Sequence, residues 1–355
     1  MTSDHEKPAS LEGLRILDLS RILAGPTAAQ LLADLGAQVI KVERPGAGDD
    51  TRGWGPPFVK NADGSDSDLS AYFLSANRNK QSISIDLASD DGVALVKRLA
   101  AISDVVIENY KPGDLARRGL GYDDIRKVKP DIVWCAISGF GQTGPYADRT
   151  GYDFLIQAMG GIMSITGDND ANGGRPVKVG LGIADVMCGM YATVGILAAL
   201  RHRDRSGEGQ YIDLALYDAQ VAWLINAATN HLVSGKVPGR IGNRHPNIAP
   251  YQTFATADGE IAIAGAEHRY IGSACDRGTE GGYGGKLGTA PHRRRNSGRP
   301  RRDDRSGRFQ SPYAGAGDGC QHADGGRTGL AASRKPSEDV GDTAGVAISA
   351  SIAFS

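Results

Sequence analysis

"LRILDLSRILAGPTAAQLLADLGAQVIKVERP" (residues 14–45) decides the fold. "LRILDLS" (14–20) is a short apolar run of strand character. "GPTAAQLLADLG" (25–36) puts Ala28, Leu31, Leu32 and Leu35 on one helical face. Pro26 suits a first helical turn, where its missing N–H has no partner to lose. Gly36 suits the position just past the helix end, because it adopts positive φ without a steric penalty. "AQVIKVERP" (37–45) reads as a second strand. Strand, helix and strand within about 30 residues make a βαβ unit, which implies a parallel sheet.

The alternation continues. "QSISIDL" (81–87) alternates as a strand, "DDGVALVKRLAAISD" (90–104) is an amphipathic helix and "VVIENY" (105–110) is a strand. "YDDIRKVKP" and then "DIVWCAISGFG" repeat helix and strand over 122–141. Residues 14–140 therefore predict a doubly wound α/β domain. A long helix is expected over 183–203, ended by "RSGEGQ" (205–210). Residues 211–235 read as a strand leading into another helix, and 250–265 as a hairpin around Asp258 and Gly259.

The chain has 355 residues and a net charge of −1, so no strong global field draws it to nucleic acid or an anionic membrane. Its four cysteines, Cys135, Cys188, Cys275 and Cys320, make no CxxC pair, and a metal site is not expected. Reduced thiols fit a cytoplasmic setting. The polar start "MTSDHEKPASLEG" lacks the apolar core of a signal peptide. No run of 18 or more apolar residues occurs, so no membrane span is expected.

After Gly265 the composition changes abruptly. Between 272 and 339 the only Ile, Leu, Val or Met residues are Leu287 and Leu330. Such a chain cannot bury enough apolar surface to offset its ordering entropy. The organisation expected is a large domain over 11–204, the start of an incomplete smaller domain over 205–268, and a disordered or frameshifted tail over 269–355. A native Gly/Arg-rich tail is the other reading of that last segment.

"GLGIADVMCGMYA" (180–192) sets one charge, Asp185, among glycines and apolar residues. An unpaired carboxylate there is costly to bury. It is either a helix cap or a group kept for chemistry.

Five stretches in order resemble family III of the CoA-transferases, the formyl-CoA and carnitine-CoA transferase group. They are "LEGLRILDLSRILAGPTAAQLLADLGAQVIKVERPGAGD", "NRNKQSISIDL", "DVVIENYKPGDLARRGLGYDDI", "AISGFGQTGPYADRTGYDFLIQAMGGIMSITG" and "ADVMCGMYA". "HPNIAPYQTFATADGEI" (245–261) looks most like the branch that moves CoA between dicarboxylates, with succinyl-CoA as donor. The resemblance implies a Rossmann-like large domain, a homodimer of interlocked chains and no permanently bound cofactor. Coenzyme A thioesters and carboxylic acids would be the substrates.

In the family the nucleophile is an aspartate a few residues into the long helix, and Asp185 stands there. Such a carboxylate splits acyl exchange into easier covalent steps, through a mixed anhydride and an aspartyl-CoA thioester. The helix N-terminus favours an ionised Asp185 at neutral pH. Gly180, Gly182 and Gly189 would let backbone and thioester approach closely. Free N–H groups there would stabilise tetrahedral oxyanions. The resemblance carries CoA contacts onto Arg44, Ile85, Asn109, Tyr110 and Arg117. Leu23 replaces a glutamine that orders the site in some members. Tyr152 stands where related acyl-CoA racemases keep a histidine. A tyrosine, with an ordinary pKa near 10, is a poor base at pH 7. Tyr152 and Asp153 would then shape an acyl pocket.

Two rivals belong to other classes. A dinucleotide-binding oxidoreductase fits the βαβ start and Glu43, but "SRILAGP" (20–26) lacks GxGxxG. An inactive relative that only binds CoA, or binds nucleic acid through "HRRRNSGRPRRDDR" (292–305), would keep affinity without turnover.

Overall fold

The structure, a computed structural model, describes residues 9–265 and a two-residue strand at Ala353–Phe354. The rest of the segment from 269 onward, with Cys275, Cys320 and the expectations of disorder or a frameshift, lies outside the described residues.

The opening unit forms as read: β1 (Arg15–Asp18), α1 (Ala24–Asp34) and β2 (Gln38–Glu43), with Leu17 opposite Ile40 in parallel register. Gly36 has φ +105°, which ends α1. A hairpin of β3 (Phe58–Lys60) and β4 (Asp66–Ser70) follows, then α2 (Ala71–Asn77). The Ser70 hydroxyl caps α2 by accepting the Phe73 N–H at 3.0 Å. Then come β5 (Lys80–Ser84), α3 (Asp90–Ala101), β6 (Val105–Glu108), α4 (Asp114–Arg117), α5 (Tyr122–Arg126) and β7 (Val133–Ser138). The second half runs α6 (Asp153–Met159), α7 (Ile162–Ile165), α8 (Ile183–Ser206), β8 (Tyr211–Ala215), α9 (Leu216–Ala222) and α10 (Ile225–Ser234). A last hairpin pairs β9 (Tyr251–Ala255) with β10 (Glu260–Ala264), and β11 is Ala353–Phe354.

The main sheet has the order β11-β8-β7-β6-β1-β2-β5. Its six strands from β8 to β5 are parallel, and β11 lies antiparallel on the β8 edge. From β1 the chain builds outward to β2 and β5, then returns to β6 on the other side. That reversal opens a crevice beyond the carboxyl ends of β1 and β6, where open α/β sheets take their ligands.

One face of the sheet buries Ile16, Val39, Ile107 and Cys135 against α1 and α8; the other buries Leu17, Val106, Trp134 and Ala136 beneath α3 and α5. Gly189 lets α8 close on α1: a Cβ there would lie 2.7 Å from the Ala24 carbonyl oxygen and 2.9 Å from Thr27. By length and composition α8 could cross a membrane. Here its Met187, Ala192, Ile196 and Leu200 are buried within the domain.

Two expectations change. The boundary placed after 204 falls inside α8, and β8 extends the large-domain sheet beside β7 with Ile212 opposite Cys135. The single helix expected within 211–235 is two. Trp223 and Leu224 donate to Gln220 and Val221 three residues back, tightening the last turn of α9, and Ile225, the first residue of α10, takes φ +39°.

Candidate active site

The loop after β1 connects two groups of side chains. Arg21 is held by its backbone: its N–H donates to Asn109 Oδ1 at 2.8 Å, and its carbonyl accepts from Asn109 Nδ2 at 2.7 Å. Ile22 has φ +71°, a left-handed conformation unusual for a β-branched residue. Its N–H points between the two Asp49 carboxylate oxygens, 3.3 Å from each. Leu23 then lies against Gly182, where an added Cβ would come 3.1 Å from its side chain.

Arg21, Arg44, Ile85 and Tyr110 line one cleft at the crevice. Arg44 Nη2 contacts Asp50 Oδ1 at 2.6 Å, and Arg21 Nη1 contacts Asp50 Oδ2 at 2.8 Å. The Arg21 guanidinium also sits 5.6 Å from the centre of the Tyr110 ring. Beneath the cleft, Lys41 pairs with Asp49 at 2.9 Å and Lys80 with Asp18 at 3.0 Å, all four side chains being almost fully buried. Burial pushes the Asp18 carboxyl up, but Lys80 and Lys41 more than reverse this and hold it below its usual value. Burial lowers the Lys80 ammonium to about 8 despite Asp18.

The second group surrounds the N-terminus of α8. Asp153, the first residue of α6, aims Oδ1 at the Ala184 N–H, 2.7 Å away, and the Asp185 N–H, 3.4 Å away. Gln157 Nε2 donates to Asp153 Oδ2 at 2.7 Å, and Gln157 Oε1 accepts the Val179 N–H at 2.8 Å. The approach to α8 is thus fixed from α6. Asp185, half-buried in the first turn of α8, has no ion-pair partner among the described residues. Burial raises its carboxyl to about 7, with the charge of Asp153 adding to the rise. Tyr72 of α2 is near this pair; burial and then the charges of Asp185, Asp153 and Asp49 raise its phenol.

Four expected residues gather at the crevice: Arg44, Ile85, Tyr110 and Asn109, the last through its grip on Arg21. Arg117 is not among the residues lining that cleft. It pairs with Asp114 three residues back on α4, and its side chain is 69% exposed. Tyr152 is 63% exposed at the start of α6. Asp153 caps α8, which corrects two expectations. The N–H groups of Ala184 and Asp185 already have an acceptor, and Asp185 is not held fully ionised at neutral pH. The glycines also divide: Gly189 admits α1, Gly182 admits Leu23, and Gly180 has nothing within 4 Å of a Cβ position.

Sequence reasoning missed Arg21, Asp50, Tyr72 and Gln157. Only Arg21 carried a local signal, as a cation directly after a strand in a βαβ unit. The others meet the site through contacts distant in sequence.

The profile of CoA-transferase family III matches residues 11–304. The chain is 52% identical over 264 residues to a succinate–glutarate CoA-transferase of Agrobacterium fabrum, covering 74% of this chain and 65% of the relative. It is 50% identical over 273 residues to the mouse succinyl-CoA:glutarate CoA-transferase, covering 77% and 60%. It thus spans less than two thirds of the length of these relatives. Among solved structures, a CAIB/BAIF family protein from Brucella suis superposes with a TM-score of 0.67 at 51% identity, covering 73% of this chain and 66% of that one.

Proposed function

Because this chain belongs to CoA-transferase family III, we propose that it transfers CoA from succinyl-CoA to a dicarboxylic acid with Asp185 as nucleophile. The observation that carries the reading is an acid at the α8 N-terminus without a cation partner among the described residues, in a chain about half-identical, over some three quarters of its length, to succinate–glutarate transferases. The Asp185 carboxylate attacks the thioester carbonyl. The C–S bond breaks, leaving a mixed anhydride and CoA thiolate. The thiolate attacks the aspartyl carbonyl, succinate departs and an aspartyl-CoA thioester remains. The acceptor carboxylate attacks that thioester and expels the thiolate. The thiolate then attacks the acceptor's acyl carbon, giving the new acyl-CoA and regenerating Asp185. No net proton is consumed.

Raised to about 7 by burial and Asp153, Asp185 is ionised in only part of the molecules at neutral pH. The same desolvation makes its carboxylate more reactive once the proton leaves. Tyr152 in place of a histidine speaks against proton abstraction and racemisation. The resemblance also carries a homodimer, which sedimentation of the full chain reads directly.

The test is transfer from succinyl-CoA to glutarate, with borohydride added during turnover. Asp185→Ala should lose transfer and retain CoA binding, and reduction should modify Asp185 in the unaltered chain. Modification at another carboxylate, or CoA binding without any turnover, would overturn the reading.

A further inference from the structure

The cleft at the sheet crevice presents two guanidiniums that share one carboxylate. Arg21 and Arg44 come from the ends of different strands, and each places one nitrogen on a separate oxygen of Asp50, at 2.8 and 2.6 Å. The other charged groups lining the cleft are matched one to one: Lys41 with buried Asp49 at 2.9 Å, and Glu43 with Arg52 at 2.7 Å. The Arg21–Arg44–Asp50 triad therefore leaves one positive charge over. Its three side chains are 33%, 49% and 31% exposed, so solvent-borne anions can reach it.

We propose that Arg21 is a phosphate-binding residue for the nucleotide end of CoA, acting with Arg44 as a two-arginine clamp whose charge Asp50 limits. This rests on the reading that the cleft takes CoA. The backbone of Arg21 is fixed on both sides by Asn109, so the guanidinium extends from a rigid base. Its plane is steadied beside the Tyr110 ring. Guanidiniums suit phosphate oxygens because their N–H groups form paired, charge-assisted hydrogen bonds. A phosphate and the Asp50 carboxylate compete for those N–H groups and repel each other. Asp50 thus lowers affinity for the anion while keeping the two arginines together.

The experiment is calorimetric titration of the full chain with CoA and with 3′-dephospho-CoA. Arg21→Gln removes the guanidinium and leaves the backbone pair with Asn109 in place. It should weaken CoA about tenfold or more. A matching loss with dephospho-CoA assigns the contact to the diphosphate, and a loss confined to CoA assigns it to the 3′-phosphate. Asp50→Asn should tighten CoA by roughly two- to fivefold, a gain that misfolding cannot imitate. It should also steepen the decline of affinity with salt. Arg44→Gln is the control for the underlying reading. If Arg44→Gln weakens CoA while Arg21→Gln leaves it unchanged, the role of Arg21 is wrong and the CoA cleft stands. If both leave CoA unchanged, the cleft itself is misassigned. A weaker CoA complex in Asp50→Asn would overturn the competition between Asp50 and phosphate.

Discussion

Carboxylates buried beneath the cleft and half-buried at the tip of α8 are treated in opposite ways. Asp18 and Asp49 face Lys80 and Lys41 at 3.0 and 2.9 Å, and Ser20 and Thr51 donate further hydrogen bonds to them. Asp153 sets its Oδ1 3.4 Å from the Asp185 N–H and adds its charge to that acid's, and no cation pairs with either among the described residues. The first arrangement keeps charges fixed beneath the backbone of the β1 loop. Lys41 Nζ also donates to the Ser20 carbonyl at 2.9 Å, and Asp49 receives the strained Ile22 N–H. The second leaves one acid with a shifted titration. Compensated charge serves as structure here, and uncompensated charge is where chemistry is expected.

The largest effect separates these two regions by stability. Lys80→Met removes one member of a buried pair and leaves Asp18 charged without its nearest partner. Denaturant unfolding should show a loss of about 3–5 kcal/mol. Asp153→Asn keeps Oδ1 as acceptor for the α8 N–H groups and removes a repulsion, but it sets an amide N–H against the Gln157 Nε2 donor, so its loss should stay at about 1–2 kcal/mol. Equal losses would erase the distinction.

The next effect is on pH. Asp185 has its folded value near 7 and its ordinary value at 3.8, so between these limits the folded chain holds the extra proton. Its contribution to stability therefore falls as pH rises through that window and is level above it. Transfer requires the carboxylate, so single-turnover rates should climb with pH to a plateau above about 7. In Asp153→Asn the midpoint should move to lower pH, because the second cause of the rise is gone. An unmoved midpoint would mean that burial alone sets it.

Much of this frame could be read from residues in order. The spacing of Leu31, Leu32 and Leu35, and the strands beside them, predict the βαβ unit that the sheet contains. The β3–β4 hairpin could not be read this way, because "VKNADGSDSDLS" (59–70) is polar and shows no sustained alternation. In the site, Asp185 stood out as one charge among glycines. Its neighbour Asp153 lies 32 positions away, and nothing local shows that its carboxylate turns toward α8. The role of Asp50 is hidden for the same reason: "GDD" (48–50) shows two acids but not which one faces two arginines.

Glu108 extends the comparison to another buried acid, 7% exposed at the end of β6. Burial raises its carboxyl to about 8; the Tyr110 N–H, 2.8 Å away, opposes the rise, and the charges of Asp114 and Asp213 add to it. At neutral pH it is largely protonated, and Gln matches that state in shape and charge. Glu108→Gln should change stability at pH 7 by less than about 1 kcal/mol. It should also remove the decline in stability that Glu108 causes as pH rises from its ordinary 4.5 through about 8. A loss like that of Lys80→Met would show that Glu108 is ionised and has a cation partner.

The smallest effect concerns the two arginines that the family resemblance assigns to CoA. Arg44 is held in the cleft by Asp50 and by the Gly48 carbonyl, at 2.6 and 3.4 Å. Arg117 lies on a one-turn helix with an i,i+3 partner and most of its side chain in water. To meet a phosphate it must leave Asp114 and give up side-chain freedom, a cost of up to about 2 kcal/mol. That cost offsets most of what a charge-assisted hydrogen bond returns. Arg117→Ala should therefore weaken CoA by only about threefold, against tenfold or more for Arg44→Ala. Titration of both variants checks the ranking. If Arg117→Ala has the greater effect, α4 closes over the nucleotide on binding, and Asp114 is a partner that the ligand replaces.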